Sequence, residues 1–329
     1  MIKKFRFIDL FAGIGGFRIA FESNGGACVF SSEWDKFSKI TYEANFGEIP
    51  QGDITEIKSE DIPDHDILCA GFPCQPFSNA GLKLGFEDTR GTLFYEIARI
   101  IHDKKPSMVL LENVKGFVSH DKGNTLKVVI ETLDDLGYNV NYKVLNAKHF
   151  GVPQNRERIY IVGINRSKVG DKGFTFPKPT LKATRLGDIL ESEPLEKFTI
   201  SKKLWDGHGR RLKEHRAKGN GFGYGLFNED SEYTNTISAR YYKDGSEILI
   251  SQGRRNPRML TPREAARLQG FPENFIIPVS DTQAYRQFGN SVAVPVVKQI
   301  AKKMKEIVEN PSKASKFISQ IQPTLDFKS

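Results

Sequence analysis

Apolar and polar positions along the first half of the chain alternate between two periods. Short apolar runs at residues 5–10, 27–32, 66–70, 107–111 and 159–163 have the length of buried strands. Between them lie helical spacings at 17–23, 35–45, 92–102 and 124–136. In the third of these, Leu93, Phe94, Ile97, Ile100 and Ile101 share one face, and Asp35 stands where the second would have its N-cap. Strands alternating with helices predict an α/β fold with a doubly wound, mostly parallel sheet. The texture changes near Phe176-Pro177-Lys178-Pro179. From there to about residue 257 the pattern predicts a smaller domain of loops and short β pieces. Two such pieces, 236–242 and 247–251, flank the turn signal Lys243-Asp244-Gly245-Ser246. Order returns at Thr261-Pro262-Arg263-Glu264, which offers an N-cap, a proline at N1 and a glutamate at N3, and predicts a helix to residue 269. Residues 291–309 read as a last helix packed on the first domain. The expected division is 1–186 with 290–329 as one domain, 187–261 as the smaller one, and 262–289 as a hinge.

Composition narrows the class. The chain has 329 residues, a net charge of +8 and a pI near 9.2. Basic charge permits a polyanionic partner, and it is concentrated at Lys202, Lys203, Arg210, Arg211, Lys213, Arg216 and Lys218. Three cysteines give no disulfide framework and suggest a reducing compartment. No apolar run approaches the ~18 residues needed to span a bilayer, so the expectation is a soluble, cytoplasmic protein.

Candidate chemistry gathers where predicted strands end. Phe11-Ala12-Gly13-Ile14-Gly15-Gly16 is a glycine turn between strand and helix, suited to close approach of a ligand. Arg18 replaces the third glycine of a dinucleotide fingerprint, which argues against NAD. Glu33 follows Gly13 by twenty residues and takes the position of a ribose-binding acid. Trp34 could stack on a base or fill a core. Asp53 could accept from an adenine amino group or cap a helix. Together these describe an adenosine site for a cofactor without a pyrophosphate. Cys74 sits in Gly71-Phe72-Pro73-Cys74-Gln75-Pro76-Phe77-Ser78, past a strand end, whereas Cys28 and Cys69 lie in apolar runs and read as core. Glu112 follows another strand, so a thiol and a carboxyl share one sheet edge as nucleophile and proton donor, unless Glu112 is only an exposed turn residue. Arg156 and Arg158, in Gln154-Asn155-Arg156-Glu157-Arg158, could hold a planar acceptor or a phosphate, or pair with Glu157.

This ordered set resembles the DNA (cytosine-5) methyltransferases, in particular the small bacterial members. The resemblance runs through Glu33-Trp34, Gly52-Asp53-Ile54, Pro73-Cys74-Gln75, Arg90-Gly91-Thr92-Leu93, Glu112-Asn113-Val114, Arg258 to Glu264 and Gln287-Phe288-Gly289-Asn290-Ser291-Val292. It is thin over 187–257. It implies the Rossmann-like methyltransferase fold and S-adenosyl-L-methionine as cofactor, held by Phe11, Gly13, Gly15, Glu33, Trp34, Asp53, Pro73, Leu93, Asn290 and Val292. It implies that Cys74 adds to C6 of a flipped-out cytosine, that Glu112 meets N3 and the amino group, and that Arg158 meets O2. Double-stranded DNA is the implied partner, met by Ser78, Arg90, Arg156, Thr236, Arg240 and Tyr241. Thr236-Ile237 resembles the family's Thr-Leu/Val recognition pair, and Arg240 would read a guanine or meet a phosphate. The loop from Phe72 to Arg90 is expected to order on DNA. A companion restriction endonuclease completes the implied picture; a monomer without a resident metal is the expectation, since nothing in the sequence resembles a dedicated dimer interface. An RNA substrate on the same scaffold, or a DNA-binding protein without catalysis, are the alternatives.

Overall fold

The computed structural model describes residues 5–72, 93–180, 183–220 and 223–310. The first half forms β1 (Arg6–Leu10), α1 (Gly16–Glu22), β2 (Ala27–Ser32), α2 (Lys36–Phe46), β3 (Ile67–Gly71), α3 (Leu93–Lys104), β4 (Met108–Val114), α4 (Asn124–Asp135), β5 (Tyr138–Asn146), β6 (Glu157–Asn165) and a single helical turn, α5 (Arg166–Val169). The six strands make one sheet in the order β2-β1-β3-β4-β6-β5. β2, β1, β3 and β4 are parallel, and β6 is antiparallel to both its neighbours. That reversal is local chemistry: β5 reaches β6 without a crossover helix, and only a crossover returns a strand in the same direction. The sequence pattern does not predict β5. It is an edge strand with asparagines at 139, 141 and 146, and its half-exposed burial hides the apolar run that marks a central strand.

Both faces of the sheet are covered, as a doubly wound fold requires. Phe7, Cys69, Leu110 and Val162 pack under α1 and the last helix, and Leu68, Leu111 and Ile161 pack under α3 and α4. The first of these cores runs on without a break into Ile237, Tyr241, Ile248 and Leu260.

The remaining elements are α6 (Lys202–Ala217), β7 (Leu226–Phe227), β8 (Leu249–Gln252), β9 (Arg255–Arg258), α7 (Pro262–Leu268), α8 (Asp281–Asn290) and α9 (Val294–Glu309). Three expectations are corrected here. The stretch read as loops and β pieces contains the 16-residue α6, capped by Ser201. Its apolar stripe is narrow and two glycines interrupt it, so the helical period is weak in the sequence. Residues 236–242 form no strand; a 3₁₀ turn covers Tyr241–Lys243. The last helix begins at Val294 rather than at 291, because Ser291 leaves α8 in extended backbone with ψ 156°. The capping box at Thr261 and Glu264 is present, as is the Asp35 cap on α2.

Candidate active site

Four parallel strands end on one sheet edge, and the loops that leave them bring most of the described candidates together. After β1 the chain turns sharply: Phe11, Gly13 and Gly15 have φ of 56°, 55° and 82°. A non-glycine residue at positive φ is strained, and such strain collects where backbone must approach a ligand. Glu33 closes this loop from the end of β2. Its Oε2 accepts from the Gly13 N–H at 2.8 Å and its Oε1 from the Asp35 N–H at 2.7 Å. Burial raises its pKa, and those backbone donors oppose the rise.

Trp34, beside it, is 77% exposed, which excludes the core reading. Gln51 bridges to Ser32 and so places Asp53 next to this corner. Asp53 caps the short turn Ile54–Glu56, with Oδ1 accepting from the N–H and Oγ1 of Thr55. Leu93 opens α3 and is half-buried. The turn after α8 closes on the same loop. A Cβ on Gly16 would stand 2.8 Å from Val292 Cγ2 and 2.9 Å from Ser291 Oγ, so that glycine admits the turn, with Val292 buried and Asn290 exposed. Arg18 is turned away, onto Glu22, Glu48 and the rings of Tyr42 and Phe46, so its charge is not offered to a phosphate here.

The second cluster lies at the ends of β3 and β4. Glu112 falls inside β4 rather than after it, opposite Gly71, and is 8% exposed, so it is not a turn residue. Arg158 enters from β6 and places Nε 3.2 Å from Glu112 Oε1. Burial raises the Glu112 pKa, with Arg158 and then Arg156 pulling against it. A carboxyl so placed keeps a proton to higher pH than an exposed one. Asn113 Nδ2 donates to the Phe72 carbonyl at 2.9 Å and so fixes the backbone where β3 gives way to residues 73–92. Pro73, Cys74, Ser78 and Arg90, and the loop expected to order on DNA, lie outside the described residues. Cys28 and Cys69 are unreactive in kind: burial pushes Cys28 up to about 12 and holds Cys69, fully buried, well above its ordinary value.

Two DNA-contact expectations are corrected. Tyr241 is fully buried; its hydroxyl donates to Ile248 O at 2.6 Å and accepts from Leu260 N–H at 2.8 Å, so it is a core post and cannot meet DNA. Arg156 is 2% exposed and donates to the carbonyls of Ile237, Gly289 and Ser291. Thr236 is half-buried and donates to Asn155 O, while Arg240 is exposed. Gln154 and Asn113 have no assigned role in the sequence; a buried amide must find partners, but which ones is a tertiary fact.

Residues 5–306 match the family described as C-5 cytosine-specific DNA methylase. This chain belongs to that family. It is 62% identical over 312 residues to the type II methyltransferase M1.ScrFI of Lactococcus lactis subsp. cremoris, covering 94% of this chain and 80% of that protein. It is 47% identical over 305 residues to M.HhaI of Haemophilus parahaemolyticus, covering 90% and 93%. The fold is that of the crystal structure of the S. pombe Dnmt2 methyltransferase, with a TM-score of 0.75 at 22% identity over 92% of this chain and 99% of that one. As a C-5 cytosine DNA methyltransferase the protein acts on DNA and takes its methyl group from S-adenosylmethionine. The first cluster fits that cofactor: an exposed indole, a buried acid on a glycine loop, and a cation turned away from where a pyrophosphate would need one. Among the described residues no helix is long and apolar enough to cross a membrane, and no group of acids, histidines and cysteines could hold a metal.

Proposed function

We propose that this enzyme methylates C5 of a cytosine flipped out of a short, specific duplex sequence, through a covalent Cys74–C6 bond. What supports the reading most is the buried Glu112–Arg158 pair on the sheet edge from which β3 runs toward Cys74. Inside a duplex C6 is hidden, so the base must leave the stack at a cost of roughly a few kcal/mol. The Cys74 thiolate bonds to C6, and the displaced π pair makes C5 nucleophilic. Glu112, protonated, holds its proton at N3 and accepts from the exocyclic amine; Arg158 meets O2. S-adenosylmethionine supplies a methyl group made electrophilic by its sulfonium. Loss of the C5 proton restores the C5–C6 double bond and expels the thiolate. Phe11, Glu33, Trp34, Asp53 and Leu93 would hold the adenosine, and Asn290 the methionine end.

Residues 187–261 form the recognition region in this reading, 262–289 the hinge, and the rest the catalytic domain. The enzyme acts as a monomer in the bacterial cytoplasm, beside an endonuclease of the same specificity. Base-resolution methylation sequencing of DNA from an expressing host that lacks 5-methylcytosine tests this. One short methylated motif is the expected result; methyl transfer only to RNA would overturn it. Glu112→Gln is expected to lower kcat roughly 10²–10³-fold. The sign of its pH effect follows from the raised pKa. Activity that needs protonated Glu112 falls as pH rises through that value, so this basic limb should vanish in the variant. A kcat–pH profile with the limb intact would remove Glu112 from the role.

The recognition region also has a face suited to phosphates. On α6, Lys202 and Arg211 are paired with Asp206 and Asp244, whereas Lys203, Arg210 and Lys213 are exposed. Lys203 and Arg210 border a shallow cleft of about 510 Å³ that Gly207 also lines. Replacing all three cations by glutamine should flatten the slope of log binding constant against log salt by roughly 0.9 for each phosphate no longer neutralised. An unchanged slope in titrations from low to moderate salt would place the DNA elsewhere.

A further inference from the structure

Arg156 is the largest fully buried side chain among the described residues, and no carboxylate there forms an ion pair with it. Its Nη1 donates to Ile237 O at 3.2 Å, and its Nη2 to Gly289 O at 3.1 Å and Ser291 O at 2.6 Å. One guanidinium therefore joins the Thr236–Ile237 segment to the turn that carries Asn290. Gln154 makes a parallel connection. Its Oε1 accepts from Ile237 N–H at 3.1 Å, and its Nε2 donates to Leu268 O and to Gln269 Oε1, while Gln269 Nε2 donates to Phe288 O. The backbones of Thr234 and residues 153–155 bond to each other as well. At Gly289 a Cβ would collide with the backbone of Ser238 and Ala239, so the two segments meet backbone to backbone.

Two residues past Arg156, β6 delivers Arg158 to Glu112. Burial, and after it the neighbouring charge of Arg158, pull the Arg156 pKa down to about 9 against the opposing pull of Glu112. Holding a cation this way is an expensive means of fixing a fold, since apolar residues of similar volume stabilise as well or better. Specific geometry is what the fork of donors provides.

We infer that Arg156 is a positioning residue that couples target reading to methyl transfer. It keeps the recognition segment, the Asn290 turn and the strand bearing Arg158 in one register, so that a displacement of the segment by a wrong sequence reaches both halves of the site. The inference rests on the proposed function. The test uses the full-length enzyme and Arg156→Lys, whose single ammonium cannot span both segments, with thermal melts as the check on folding. Three quantities are compared: kcat/KM for the cognate duplex against one with a single altered base pair, S-adenosylmethionine affinity with and without cognate DNA by equilibrium binding, and the salt slope of DNA binding.

The expected result is a roughly tenfold loss of discrimination and a loss of DNA-enhanced cofactor affinity, because small displacements at a distance cost that much or more. The salt slope should not change. A slope reduced by roughly one unit would mean a phosphate contact instead and overturn the inference. So would a folded variant with both ratios within twofold of the wild type. If Arg156→Lys does not fold, Gln154→Met, which cuts the link at the Ile237 N–H without stranding a charge, is read by the same two ratios. A wild type that leaves duplex DNA unmethylated would instead overturn the proposed substrate, before any variant is compared.

Discussion

Serine in place of Cys74 is expected to slow methyl transfer on the order of 10⁴-fold or more, about 5 kcal/mol of barrier, because the nucleophile acts as one unit with its partners. A serine hydroxyl cannot supply an anion near neutral pH, whereas a thiol can when its surroundings are electropositive. Arg158 lies at the described side of that site, with its Nε 3.2 Å from Glu112 Oε1. The other two thiols make the contrast plain. Cys28 is pushed up to about 12 and Cys69 is fully buried, so neither can replace Cys74. Single-turnover transfer of labelled methyl to a cognate duplex measures the effect. A duplex carrying 5-fluorocytosine at the target gives an independent readout. With fluorine at C5 there is no proton to lose, so the adduct cannot eliminate, and wild type should remain bonded to the DNA through denaturation. Transfer within tenfold of wild type in the variant, with no trapped adduct in either protein, would sink the covalent route.

The strand ends are legible in the sequence and much of what holds them together is not. Residues 27–32 and the helix capped by Asp35 are readable because apolar runs and caps are local signals. Glu33 and Glu112 stand out for the same reason, as acids following apolar runs. Sequence cannot decide between burial and exposure for a polar side chain. Trp34 reads equally as core or platform, and only the tertiary structure leaves it exposed. Tyr241 lies beside Arg240 in a basic, aromatic stretch that suggests a DNA surface. Its partners, Ile248 and Leu260, are brought in by the turn at Gly245; the turn itself is legible in the sequence, but which side chain it folds over is not. Arg156 is the sharper case. Two of its acceptors lie more than 130 residues away, at Gly289 and Ser291, so its role is a property of the assembled chain. The missed α6 and β5 share a simpler cause: both have one narrow buried stripe, and polar residues on the open side blur the period.

Glu264→Ala is expected to be the most destabilising single change among the described residues, at about 3–5 kcal/mol. Glu264 is fully buried and Arg258 nearly so, and they meet through paired hydrogen bonds, Nη1 to Oε2 at 2.7 Å and Nη2 to Oε1 at 2.8 Å. The same carboxylate accepts from Thr261 N–H at 2.8 Å and from Glu191 N–H at 2.8 Å. Every donor around it is thereby satisfied, which is the condition under which a buried pair holds. Alanine would strand a guanidinium and two backbone donors in the interior, and would open α7 at its first turn. For a chain of this size that corresponds to a midpoint lowered by roughly 4–7 °C. Glu264→Gln keeps one acceptor and should lose about half as much. The pair can be separated from the charge it carries: Arg258→Met with Glu264→Leu removes both partners and strands neither, so the double variant should recover most of the loss. Thermal and urea unfolding of the three variants decides it. A double variant no more stable than Glu264→Ala would mean that the carboxylate's bonds to Thr261 and Glu191, rather than the relief of a buried charge, set the stability of this junction.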